Sequence, residues 1–141
     1  MSVMWTDQIT LKWANATQGR VGTACKQTLY DTADVSDNIN LPPLGVLINE
    51  PKQNEMATIQ LCTPSRIFKG VAATTLAIGN IVGIRGATGP AAPGKFSPLT
   101  ISGTYVTANK FMWGIVISPG AVNEIVQIMG MPGIFSANEA N

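Results

Sequence analysis

An all-β fold is what this chain predicts: a small β-barrel, β-tulip or sandwich of short antiparallel strands, with an extended N-terminal arm and little helix. Two observations carry that reading. Apolar residues mostly alternate with polar ones, β-branched residues recur wherever they do, and the roughly 3.6-residue period of a long amphipathic helix is nowhere sustained. Between the alternating stretches stand breakers rich in Gly, Pro and Asp. A chain of 141 residues is the size of one domain with one core. It divides into an arm over residues 1–18 and a single β domain over residues 19–141.

In chain order, the first strand is Gln8 to Trp13, with Ile9, Leu11 and Trp13 on one face. Arg20 to Tyr30 is the second, and Asp31 to Pro43, with two prolines and three aspartates, then breaks the chain. Leu44 to Asn49, Met56 to Cys62 and Ser65 to Val71 follow, the first two separated by the turn-forming Glu50 to Asn54. Thr74 to Ile78 has room for one helical turn, and Asn80 to Arg85 is again a strand. Gly86 to Pro98, with three prolines, reads as a long surface loop. The last strands are Leu99 to Val106, Phe111 to Ser118 and Val122 to Met129, nine in all, which suits a barrel or sandwich.

A shift of 69 residues exposes an internal similarity: Gly45-Val46-Leu47-Ile48 aligns with Gly114-Ile115-Val116-Ile117. Nine residues after each leading glycine stands an Asn-Glu pair, Asn54-Glu55 and Asn123-Glu124. Met56-Ala57-Thr58-Ile59 follows the first and Ile125-Val126-Gln127-Ile128 the second. Each copy reads as strand, turn, strand, with Pro51 or Pro119-Gly120 breaking the chain between. Two related hairpins would offer alternating residues to a shared core.

The chemistry is sparse. Histidine is absent, which removes the usual general base near neutral pH, the commonest metal ligand and any Ser-His-Asp relay. Cys25 and Cys62 lie 37 residues apart outside any CxxC pattern, so they read as two buried free thiols of a reducing compartment. Gly89 to Phe96 approaches the phosphate-loop pattern GxxxxGK[ST], but Phe96 replaces the hydroxyl and two prolines remove N–H donors. Asp31, Asp34 and Asp37, with Asn38 and Asn40, are spaced by three where a calcium loop alternates ligands, so a solvated acidic loop is expected. Lys69 or Lys95 could serve a Ser-Lys pair, and Glu50, Glu55 and Glu124 a carboxylate pair, but as strand-end charges the glutamates mark hairpin turns. No catalytic, metal or cofactor residues are therefore assigned, and the chain is expected not to be an enzyme.

Lys plus Arg is 9 and Asp plus Glu is 8, a net charge of +1, which offers no basic excess for a nucleic acid. Apolar runs are broken well before the roughly 18 residues of a membrane span. Neither nucleic acid nor membrane is expected as a partner, and the first 13 residues lack the order of a secretory signal, so cytoplasmic synthesis without export is expected. Charged residues make up 12% of the chain, against about 25% in an ordinary soluble domain. Polarity resides in Thr, Asn, Ser and Gln, which desolvate cheaply when partnered and suit contact with protein. Trp113 lies inside a strand and belongs to the core. Trp5 and Trp13 sit in a stretch that is loose unless tied down, and either dock on a partner or pair within the chain.

From Pro43 onward the residues resemble the capsid decoration, or head cement, proteins of tailed bacteriophages. The resemblance is carried by Pro43-Leu44-Gly45-Val46-Leu47, Glu50-Pro51, Glu55-Met56-Ala57-Thr58-Ile59 and Lys69-Gly70-Val71-Ala72. Leu76-Ala77-Ile78-Gly79-Asn80-Ile81-Val82, Trp113-Gly114-Ile115-Val116 and Asn123-Glu124-Ile125-Val126-Gln127-Ile128 continue it. It implies a compact β domain on the capsid exterior of the virion, commonly a homotrimer, that clamps neighbouring subunits of the major capsid protein and stabilises the shell. Trp5, Trp13, Arg20, Lys95 and Phe96 are the residues expected to contact that partner. A tail or neck component that self-assembles is the second reading, and a small β-barrel hydrolase or carbohydrate-binding module the third.

Overall fold

The computed structural model describes residues 7–37, 41–84, 93–99 and 110–136. They form ten strands: β1 (Gln8–Trp13), β2 (Ala24–Leu29), β3 (Thr32–Val35), β4 (Gly45–Leu47), β5 (Met56–Leu61), β6 (Ile67–Val71), β7 (Ile81–Ile84), β8 (Phe96–Pro98), β9 (Lys110–Ser118) and β10 (Ile125–Ser136). Strands β1 to β5 close a barrel in the order β1-β3-β2-β4-β5, with only β1 and β3 parallel. The second sheet, β6-β10-β9-β7-β8, has the same order when β6 to β10 are matched in turn to β1 to β5. Its two ends meet only at an isolated parallel bridge between Ala72 and Phe96, the counterpart of the Trp13–Ala33 pair, so this sheet curls into a second barrel that is less fully closed than the first.

The hairpin similarity is thus the visible part of a larger one. Gly45 pairs with Leu61, Val46 with Gln60 and Leu47 with Ile59; Gly114 pairs with Gly130, Ile115 with Met129 and Val116 with Ile128, in the same register. Asn54 and Asn123 turn the two hairpins at φ of 69° and 67°, the left-handed region that Asn tolerates through its short polar side chain. The N–H of Asn54 donates to Trp13 O and that of Asn123 to Ala72 O, both at 2.8 Å. Farther along, Gly22 and Gly79 have φ of 91° and 88°, and their N–H groups donate to Leu47 O and Val116 O at 2.9 Å. The backbone plan is repeated almost bond for bond where the side chains differ.

Each barrel encloses its own core. Trp13, Cys25, Ala33, Leu47, Ala57 and Ile59 fill the first. Phe68, Ala72, Val82, Phe96, Trp113, Val116, Val126 and Ile128 fill the second, joined by Ala24 and Val46 from the outer face of the first. Where the first barrel sets large Trp13 beside small Ala33, the second sets small Ala72 beside large Phe96, so the large ring comes from the opposite strand. Gly70, on the strand matched to β1, makes room: a Cβ there would stand 2.7 Å from Phe96 Cδ2 and 2.8 Å from Ile128 Cδ1. Phe96 and Trp113 meet edge to face with ring centroids 5.3 Å apart, and Phe68 lies 6.4 Å from Trp113. The expected core position of Trp113 holds, at 1% exposure.

Several expectations are corrected. The expected strand Gln8–Trp13 is found as β1, but it is no loose arm: its antiparallel register to β5 and parallel register to β3 hold both edges inside the barrel. The breaker after Tyr30 contains β3, because Thr32 to Val35 alternate into the barrel behind a tight turn. Thr74 to Ile78 makes no helical turn; Leu76 bridges Gly120 instead, and the described residues hold no helix. Phe96–Pro98, placed in the loop, is the strand β8. The last strand runs on to Ser136, with register shifts between Gln127 and Ile128, Gly130 and Gly133, and Ile134 and Ser136. Of the expected strand Leu99 to Val106, Leu99 donates its N–H to Ile81 O, and residues 100–106 lie outside the described residues, as do Trp5, Asn38, Asn40 and residues 85–92.

Candidate protein-binding surface

The residues expected to touch a partner do not converge on one patch. Trp13 is 0% exposed, and its indole Nε1 donates to Thr17 O at 2.9 Å, which satisfies the polar end of a core side chain. Phe96 is also 0% exposed, held by the Phe68 and Trp113 rings. Neither can serve as a docking anchor, because alternation along β1 and β8 turns both inward. Arg20 is exposed before the Gly22 turn, and Lys95 donates from Nζ to Asn123 Oδ1 at 2.6 Å. Trp5 lies outside the described residues.

Several of the residues considered for chemistry are engaged in structure. Glu55 and Glu124 occupy matched turn positions, their carbonyls accepting from Trp13 N and Ala72 N, and the Glu124 carboxylate accepts from Ala121 N at 3.0 Å. Asp34 accepts from Asn15 Nδ2 and from Val35 N, while Asp37 pairs with Lys26 at 2.7 Å. Among the described residues no three His, Cys, Asp or Glu side chains come together as a metal site.

Both cysteines are free. Burial pushes the Cys25 thiol from 9.0 up to about 12, and burial does the same to Cys62. Folding therefore favours the protonated thiols; that stabilisation is whole below pH 9.0 and is lost as pH rises toward about 12. The urea midpoint should fall through that window. Iodoacetamide at neutral pH should leave both thiols unlabelled in the folded protein and label both in denaturant, as counted by mass spectrometry; rapid native labelling of Cys25 would contradict its burial.

What the described surface does offer is apolar area in ordered places. The barrels pack with the outer face of β2 and β4 against β6 and β10. Ala24 and Val46 are buried there at 0% and 1% exposure, and the backbone of Gly22 lies against Lys69, Gly70 and Ile125. The turn before β8 seals the seam: Ala24 N donates to Gly94 O at 2.9 Å and Gly94 N to Ser36 O at 2.7 Å. An ion pair between Asp7 and Arg66 and a bond from Gln60 Nε2 to Ile67 O at 3.1 Å tie the strand starts together. A shallow groove of about 280 Å³ remains along this seam, lined by Val21, Ile48, Ile67, Lys69 and Gln127. Away from it, Leu29 and Tyr30 project at 68% and 96% exposure from the β2–β3 turn, and Ile78 at 68% beside β7. Patches of this kind are where soluble proteins meet other proteins.

No protein-family model matches the chain, and no curated protein matches it. Among solved structures it is similar to the head fiber gp8.5 N base of bacteriophage phi29, with a TM-score of 0.62 over 92% of this chain and 98% of that one. The two share 11% sequence identity, so the likeness is one of fold.

Proposed function

We propose that this chain is a structural protein of a bacteriophage particle: a decoration or cement protein that binds the outer surface of the assembled head and holds neighbouring major capsid subunits together. The observation that carries this reading is the shared fold with a phage head fiber base, which spans nearly the whole of both chains. The resemblance to decoration proteins supports it, for the stretches Gly45 to Ile59 and Trp113 to Ile128 that carry much of it fall on the matched β4–β5 and β9–β10 hairpins. So does the surface, low in charge and carrying exposed Leu, Ile and Tyr in place of catalytic groups. In this reading the protein is made in the host cytoplasm, acts as a small closed oligomer such as a homotrimer, and uses neither cofactor nor nucleic acid nor membrane. Multivalent attachment of such an oligomer raises avidity by roughly 10²–10⁴ without any strong single contact.

The test is co-sedimentation with purified shells, together with release of packaged DNA on heating or chelation. Coated shells should retain DNA to higher temperature than bare ones, and equal heat resistance would defeat the reading. Glu50→Gln, Glu55→Gln and Glu124→Gln combined should leave shell binding nearly unchanged; its loss would bring carboxylate chemistry back into consideration.

A further inference from the structure

The contact between the two barrels is not symmetric. The first barrel presents its β2/β4 face, and the second receives it on β6, β10 and the turn before β8. Because both barrels follow one plan, each also carries the half of this contact that it does not use. On the second barrel, Ile78, Ile81, Ile115 and Ile117 stand where the first has Val21, Ala24, Val46 and Ile48. All four are isoleucine. In the first barrel the two central positions, Ala24 and Val46, are covered by the second; the matching Ile81 and Ile115 are only half-buried, and Ile78 is 68% exposed.

The receiving half is equally open on the first barrel. Thr10, Met56 and Thr58 stand where the second has Lys69, Ile125 and Gln127, and Met56 keeps an apolar side chain at 55% exposure. Tyr30, the most exposed large apolar residue described, stands beside Leu29 in the β2–β3 turn, which joins the strands matched to β7 and β8.

We propose that copies of this chain assemble head to tail: the isoleucine face of one chain's second barrel seats on the β1/β5 face and Tyr30 turn of the next chain's first barrel. The contact repeats the one already made inside each chain, which is the argument for a second copy as the occupant. A heterologous contact of this kind uses every face once when it closes into a ring. The inference rests on the preceding reading only for a closed oligomer. Its measurement needs no shell, so a monomeric result would defeat the assembly mode while co-sedimentation still decided shell binding.

The test is light scattering coupled to gel filtration, with thermal melts to confirm folding. Wild type should run as a defined oligomer. Ile78→Asp with Ile117→Asp should be monomeric, and so should Tyr30→Asp with Met56→Asp. An equal mixture of the two variants should yield dimers, since one intact pair of faces remains. If either variant melts abnormally, Ile117→Arg and Thr10→Glu probe the same two faces. A monomeric wild type, a Tyr30/Met56 variant that assembles as wild type does, or a mixture that stays monomeric would each overturn the proposal.

Discussion

Trp13→Ala should lower stability by about 3–5 kcal/mol, the range for deleting a large aromatic from a well-packed core. Trp13 is 0% exposed and closes the first barrel beside Ala33, which is too small to fill the space. For a domain of this size the loss corresponds to a fall in Tm on the order of 10–20 °C, which calorimetry would read directly. The second barrel shows how the space could be refilled, because it places Phe96 at the Ala33 position and Gly70 at the Leu11 position. Ala33→Phe with Leu11→Gly, added to Trp13→Ala, should recover at least about 1 kcal/mol by a coupling that neither substitution shows alone. A Trp13→Ala chain as stable as wild type would mean that this tryptophan is not the plug of the barrel.

The second large effect is expected at a matched pair of glycines. A Cβ on Gly45 would meet Gln60 O and one on Gly114 would meet Met129 O, in both cases well inside van der Waals contact, with Ile59 and Ile128 Cγ2 at 2.8 and 2.7 Å. The obstacle is the backbone of the partner strand, which cannot rotate away as a side chain can. Gly45→Ala and Gly114→Ala should each cost about 3 kcal/mol, the upper part of the overpacking range, and about equally. Gly133 supplies the control. Nothing lies within 4 Å of a Cβ there, so Gly133→Ala should be neutral or stabilising by a few tenths of a kcal/mol. Urea midpoints of the three variants would decide it; a Gly114→Ala chain that matches Gly133→Ala would show that the two hairpins are not built alike.

Much of this was legible in the residues. Alternation marked β1, β5 and β9 closely, and the repeated Gly, Asn and Glu marked one hairpin of each barrel. The rest of the duplication left no such trace, because it is conserved in backbone register and hydrogen bonding, not in identity. Trp13 with Ala33 and Ala72 with Phe96 do the same work with the bulk on opposite strands. For the same reason an N-terminal tryptophan read as an anchor for a partner when it is a core residue. The candidate surface was illegible too: Ile81 and Ile115 carry the same apolar signal as Val82 and Val116, yet the first two face outward and the last two are buried.

The chain by itself determined the all-β class and its turns, since strand period and positive-φ Asn are local properties. It also determined the absence of imidazole chemistry, for no fold can supply a histidine that is not there. Only the tertiary structure decided that β1 lies parallel to β3, that one barrel plan is used twice, and which apolar face is covered. A period of two assigns residues to faces, but which face another element buries depends on contacts between residues far apart in sequence.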